Sequence, residues 1–150
     1  MDSVWSKLAS GALKAGTYRT YRPLACGDDA GNVRPLYHYR LPEMASVQRD
    51  ALLSALSDTL GFPDYFGFNW DAAFDCLTDR DWEAGAVVII EMNIPPAADA
   101  DEAMLTTLIE MMSDASRFWI DQNVTLYFLI ESPRDDLASL NDLETLGPKL

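Results

Sequence analysis

Along this chain the spacing of apolar residues switches between an extended and a helical period. Leu36-Tyr-His-Tyr-Arg-Leu41 is a short aromatic run that reads as a strand, and Pro42 stops it. From Val47 to Leu60 the spacing is helical: Leu52, Leu56 and Leu60 recur every four residues, with Ala51, Leu53 and Ala55 beside them. Gly61 stands where a helix end takes up a left-handed residue, and Pro63 blocks continuation. A second, short helix is expected over 69–79, with Asn69 as N-cap and Asp71 in the first turn, where the helix dipole favours an anion. Ala86-Val-Val-Ile-Ile-Glu-Met92 is an unbroken apolar run, as in a strand covered on both faces. After Pro95-Pro96, Asp99-x-x-Glu102 has the form of a capping box with Asp in place of Ser or Thr. Leu105, Leu108, Ile109, Met112 and Ala115 then follow at helical spacing, and Val124 to Ile130 reads as a third buried strand.

Strands separated by helices imply right-handed crossovers and a parallel sheet. The expected fold class is therefore α/β: a small three-stranded parallel sheet, with strands near 36–41, 86–92 and 124–130, packed by helices. Residues 1–34 are weakly patterned. Val4, Trp5, Leu8 and Leu13 suggest a short helix ending at Gly16, and Cys26 to Val33 reads as a loop. These residues are read as an N-terminal extension packed on a domain spanning 35–131, and 132–150 as a polar C-terminal tail.

Composition supports one domain with a real core: 150 residues, 49% apolar, with four Trp. Charge changes the picture more. Eleven Lys and Arg face 24 Asp and Glu, a formal net charge of -13. Such a chain repels phosphate backbones, which argues against direct nucleic-acid binding and for a basic partner steered in by the field. Solubility alone also accounts for an acidic surface. Cys26 and Cys76 form no CxxC, and His38 is the one histidine, too few ligands for a structural zinc site and no basis for a disulfide framework. No metal or other cofactor is expected. The N-terminus lacks an uninterrupted apolar secretory core, and no window is apolar enough to span a membrane, so a cytoplasmic location with reduced thiols and no membrane contact is expected.

The unusual stretch is Asp64-Tyr-Phe-Gly-Phe-Asn-Trp-Asp-Ala-Ala-Phe-Asp-Cys-Leu-Thr-Asp79. On a helix, Trp70, Ala73, Phe74 and Leu77 share an apolar face, while Asp71, Asp75 and Thr78 share another. Two carboxylates one turn apart repel by about 0.2–0.5 kcal/mol, a cost that a cation between them removes. A solvated acidic face is the plainer reading of the same pattern. Ahead of the helix, Tyr65, Phe66 and Phe68 crowd between Pro63 and Asn69. Aromatic side chains of this kind either enter the core or anchor an interface.

The run Phe62 to Thr78 resembles the signature of the barstar family, intracellular inhibitors of the ribonuclease barnase. The matching pattern is a Pro, an acidic residue, two aromatics, Gly, any residue, Asn, an apolar residue, Asp, two apolar residues, an aromatic, Asp, Cys, Leu and Thr. The order of strands and helices from about 35 to 130 matches as well. The resemblance implies that this helix and the loop before it enter a ribonuclease active site, with carboxylates where substrate phosphates bind. It makes Asp75 the principal phosphate mimic and Asp71 a second charged anchor. Asn69 and Thr78 supply hydrogen bonds, Tyr65 and Phe74 pack beside the charges, and Gly67 allows close backbone approach. Cys76 and Leu77 look structural. The chain departs from the family where Phe66 replaces a Tyr, Phe68 an acidic residue, Phe74 a Trp, and Asp79-Arg80 a Gly-Trp pair. A further acidic contact, which the family takes from its last helix, has no residue-by-residue counterpart in Asp114-Ala-Ser-Arg117.

Three functions fit. The resemblance implies a non-enzymatic antidote, a free monomer that blocks a basic ribonuclease or nuclease toxin. A barstar-like module regulating a non-nuclease protein is the alternative. A hydrolase using Asp71 and Asp75 as acid and base is disfavoured, because such pairs need two unlike environments and these share one short helix.

Overall fold

The computed structural model describes residues 4–20, 34–44, 46–63, 67–95, 99–132 and 141–142. In chain order the elements are α1 (Val4–Ala9), β1 (Gly16–Thr20), β2 (Leu36–Arg40), β3 (Ser46–Val47) and α2 (Arg49–Leu60). They continue with α3 (Trp70–Leu77), β4 (Val87–Asn93), β5 (Asp99–Ala100), α4 (Glu102–Asp121), β6 (Thr125–Glu131) and β7 (Asn141–Asp142). The α/β class holds, and the three expected strands pair in parallel with β4 between β2 and β6. In register, Leu36 lies beside Val87, and Val87 beside Thr125.

The sheet is larger than the expected three strands. Among the described residues its order is β2-β4-β6-β1-β7, five strands, with β1 running parallel to β6 from Gly16 beside Tyr127 to Thr20 beside Glu131. The sequence hid β1 because Gly-Thr-Tyr-Arg-Thr carries one large apolar side chain. Its arginine is nonetheless buried, with Arg19 Nε donating to the Ser132 carbonyl at 3.2 Å. Asn141–Asp142 adds a two-residue strand beside β1. The loop from Cys26 to Val33 lies outside the described residues, as does most of the tail.

The unbroken apolar run of β4 follows from cover on both faces, and Val87 to Met92 are all buried. Val88, Ile90 and Met92, with Leu126, Phe128 and Ile130 of β6, pack under α2, α3 and α4. Val87 and Ile89, with Tyr127 and Leu129, pack against Trp5, Leu8, Ala9 and Tyr18. Residues ahead of 35 thus supply half of the buried residues of this second, smaller cluster. Tyr127 Oη donates to the Leu13 carbonyl at 2.6 Å, and Tyr18 Oη donates to the Lys14 carbonyl, so two buried phenols fasten the link between α1 and β1. Arg34 adds a third tie, donating from Nη1 to the Ser10 carbonyl at 3.0 Å and from Nε to the Gly85 carbonyl at 2.9 Å.

Several element ends differ from the pattern; α3 stops at Leu77, short of the expected Asp79. α1 stops at Ala9 instead of running to Gly16, because Gly11 takes φ +74 and turns the chain, and Gly16 already opens β1. α4 begins two residues later than the Asp99 capping pattern implies, at Glu102. Asp99–Ala100 is extended and pairs with Ser46–Val47, so Asp101 becomes the N-cap and its Oδ1 accepts from Ala103 N at 2.9 Å. α2 ends at Gly61 in the left-handed conformation, φ 67, as the pattern implied.

Candidate functional site

The site is built on α3. Asn69 is extended and caps it: Oδ1 accepts from Ala72 N at 2.8 Å, while Nδ2 donates back to the Gly67 carbonyl at 3.2 Å. Phe68, between them, is left-handed at φ 52, a conformation that costs a non-glycine residue about 1–2 kcal/mol. It is held by Arg49, whose Nη2 donates to the Phe68 carbonyl at 2.8 Å and whose Nη1 pairs with Asp50 at 2.7 Å. Ala73 and Leu77 are buried between α2 and α4, and Trp70, Phe74 and Cys76 pack half-buried against the same core. Asp71 and Asp75 are left exposed on the outer face. At the far end Thr78 is the C-cap, and its Oγ1 donates to the Phe74 carbonyl at 2.9 Å. The Leu77 carbonyl accepts from the buried indole Nε1 of Trp119 at 2.9 Å.

Between α3 and α4 runs a groove of about 400 Å³. Asp71 and Asp75 line one wall; Glu110 and Asp114, one turn apart on α4, line the other. Trp70, Phe74 and Met111 form an apolar floor, and among the described residues no Lys or Arg lines the groove. Arg117 pairs with Asp114 from outside, an exposed i,i+3 contact worth little. Among the described residues no three His, Cys, Asp or Glu side chains cluster closely enough to hold a metal ion.

On the other flank of α3 lies a cavity of about 380 Å³, bordered by Tyr37, Tyr39, Asp75, Asp79, Arg80 and Trp82 among others. Arg80 folds into it: Nη1 donates to the Leu60 carbonyl, Nη2 reaches the Tyr39 hydroxyl at 3.4 Å, and the guanidinium lies 5.3 Å from the Trp82 ring centroid. The free thiol of Cys76 borders the same cavity. Burial pushes its pKa up, Asp75 and Asp79 push it further, and Arg80 partly offsets them.

Of the residues singled out by sequence, Asp71, Phe74 and Asp75 come together on the groove, with Gly67 and Asn69 at one end of α3 and Thr78 at the other. Gly67 and Asn69 are exposed. Tyr65, like Phe66, lies outside the described residues. Glu110 was not singled out, although Thr107, Glu110, Met111 and Asp114 follow one helical stripe, and its i,i+4 acidic spacing with Asp114 repeats that of Asp71 and Asp75. What the sequence could not supply was that the two acidic pairs face each other.

A comparison with curated proteins brings up no match. A family model described as Barstar (barnase inhibitor) matches residues 38–131, which runs from within β2 to the last residue of β6 and includes α3, its cap and the whole groove. That match spans more than half of the chain, and with the parallel sheet and its three packed helices it establishes that the chain belongs to the barstar family.

Proposed function

We propose that this protein is an antidote that binds the active site of a basic ribonuclease, with Asp75 and Asp71 standing where substrate phosphates would bind. The observation that carries the reading is the groove between α3 and α4: four carboxylates over an apolar floor, without a lining cation among the described residues, in a chain of net charge -13 from a family of barnase inhibitors. A cleft evolved to hold an RNA backbone presents Lys, Arg and His at phosphate spacing, and this groove is its electrostatic complement. Glu110 and Asp114 supply the acidic contact from the last helix. Asn69, Thr78 and Gly67 border the charged face, and Phe74 gives it a rigid apolar anchor. Asp71 and Asp75 both stand exposed in alike surroundings, which suits binding and offers no acid–base division of labour. The action is thus occlusion, not turnover. A free Cys76 thiol fits a reducing cytoplasm, and a free monomer fits a face kept open for a partner of another kind.

The test is inhibition of RNA cleavage by barnase, titrated with the full chain. Stoichiometric inhibition is expected, with an association rate that falls steeply between low and high salt as screening shortens the steering field. Absence of inhibition of barnase and of other small basic ribonucleases, together with capture of a partner lacking nuclease activity, would instead favour a regulatory module.

A further inference from the structure

The Asp79-Arg80 pair is a departure from the family pattern, and an outward arginine beside Asp75 would oppose a basic partner. Arg80 is turned inward instead. It meets the Leu60 carbonyl, one of the last carbonyls of α2, which lack partners within their own helix. The last turn of α2 contains no basic residue of its own, so Arg80 provides the cation that a helix C-terminus favours. The guanidinium also lies over Tyr39 at 5.9 Å and Trp82 at 5.3 Å. Trp82 in turn packs on Trp119 at 5.1 Å between centroids, and Trp119 donates to the Leu77 carbonyl at 2.9 Å. The chain of contacts Leu60–Arg80–Trp82–Trp119–Leu77 links the end of α2 to the C-terminal turn of α3. Asp79 and Asp81 remain exposed on its rim.

We infer that Arg80 is a positioning residue: its guanidinium ties the end of α2 to the Tyr39–Trp82 ring pair, which holds the last turn of α3, and so Asp75 and Thr78, in place against α4 while withdrawing a positive charge from the acidic face. The inference rests on the ribonuclease reading for what that turn presents, but the holding of the turn is measurable without a partner. A lysine cannot replace the arginine fully, because a single ammonium neither stacks as a plane nor spans the two acceptors.

Cys76, half-buried in the same turn, reports on it. In full-length Arg80→Ala and Arg80→Lys, the rate of Cys76 alkylation is followed by peptide mass, which separates it from Cys26. Loss of the guanidinium charge alone raises the thiol pKa further and slows alkylation. Loosening of the turn exposes the sulfur and speeds it. Alkylation faster by at least about tenfold in Arg80→Ala, and by less in Arg80→Lys, is expected, with amide exchange in β4 and β6 unchanged. Unchanged or slower alkylation, or protection lost evenly across the sheet, overturns the inference. If Arg80→Ala does not fold, Arg80→Lys carries the same readouts: alkylation faster than in the parent, with exchange in β4 and β6 unchanged, supports the inference, and unchanged or slower alkylation overturns it. A parent protein that neither binds nor inhibits barnase or other small basic ribonucleases, while the Arg80 variants alkylate as expected, would sink the ribonuclease reading and leave the positioning role of Arg80 standing.

Discussion

Trp119 of α4 reaches across to α3 and donates its indole N–H to the Leu77 carbonyl at 2.9 Å. Both residues are buried, so this carbonyl has no water to fall back on. Trp119→Phe removes the donor and part of the ring. A buried acceptor left unsatisfied costs about 1–3 kcal/mol, and the lost packing adds to it. A drop of about 2–4 kcal/mol in urea denaturation, with the midpoint lowered and the slope unchanged, is the expected outcome.

The same substitution at Trp5 should behave differently. Trp5 is buried against the opposite face of the sheet, 5.3 Å from the His38 ring, and its Nε1 has no hydrogen-bond partner among the described residues. Trp5→Phe therefore removes a polar atom without breaking a bond and should cost less than about 1.5 kcal/mol. Trp5→Ala, which empties the site, should cost about 3–5 kcal/mol. Equal losses for Trp5→Phe and Trp119→Phe in the same denaturation assay would show that the Trp5 indole has an acceptor.

Periodicity made the central elements legible because packing in them is regular. Leu52, Leu56 and Leu60 mark α2, and the run from Val87 to Met92 marks a strand covered on both faces. It did not reveal β1. There Arg19 is buried through its bond to Ser132, and Tyr18 through its bond to Lys14, so the residues that define the strand are polar by type and satisfied only by distant or local partners. The site divides in the same way. Asn69, Asp71 and Asp75 were legible from local helix chemistry. The opposing wall of Glu110 and Asp114, and the inward turn of Arg80, depend on how α3 meets α4 and α2, which no local pattern encodes.

Alkaline pH should destabilise the fold through two buried phenols. Burial raises the pKa of Tyr127 and of Tyr18 above the usual phenol value. The folded chain then keeps both protons at a pH where the unfolded chain has lost them. Their stabilisation is complete below the unfolded phenol pKa, about 10, and falls as pH rises through and beyond it, by up to about 1.4 kcal/mol per pH unit for each tyrosine. Stability measured from pH 8 to 11.5 should turn downward near pH 10, and Tyr127→Phe should make that slope shallower while lowering the plateau through loss of the bond to Leu13. A slope unaltered by Tyr127→Phe would exclude this residue as its source.

Gly67 separates the needs of the fold from those of the partner. A Cβ built there meets Ala72 Cβ and Asn69 Nδ2 at 3.5 Å, which is ordinary contact. Gly67→Ala should therefore leave stability within about 1 kcal/mol of the parent, with a slight gain from a stiffer unfolded chain. If a partner backbone approaches this glycine closely, the same change should weaken binding at least tenfold, about 1.4 kcal/mol, in a titration against barnase. Unaltered binding would place the contact elsewhere on the face.

Asp75 and Leu77, two residues apart on one helix, should separate function from folding. Asp75 is exposed and lies one turn from Asp71, with which it shares a groove wall. Asp75→Ala relieves a like-charge pair and introduces the best helix former, so stability should hold or rise by a few tenths of a kcal/mol. Its binding cost should be the largest of any single change on α3, about 2–5 kcal/mol, because the partner's desolvated cations lose their counter-charge. Leu77 has no exposed surface and lies in the core between α2 and α4. Leu77→Ala should lose about 2–5 kcal/mol of stability through the cavity it leaves. The fraction that remains folded should still bind, because the charged face is intact. Calorimetric titration and urea denaturation on the two variants read these opposite outcomes directly. Binding by Asp75→Ala as tight as that of the parent would reduce the acidic wall of α3 to a solvated surface.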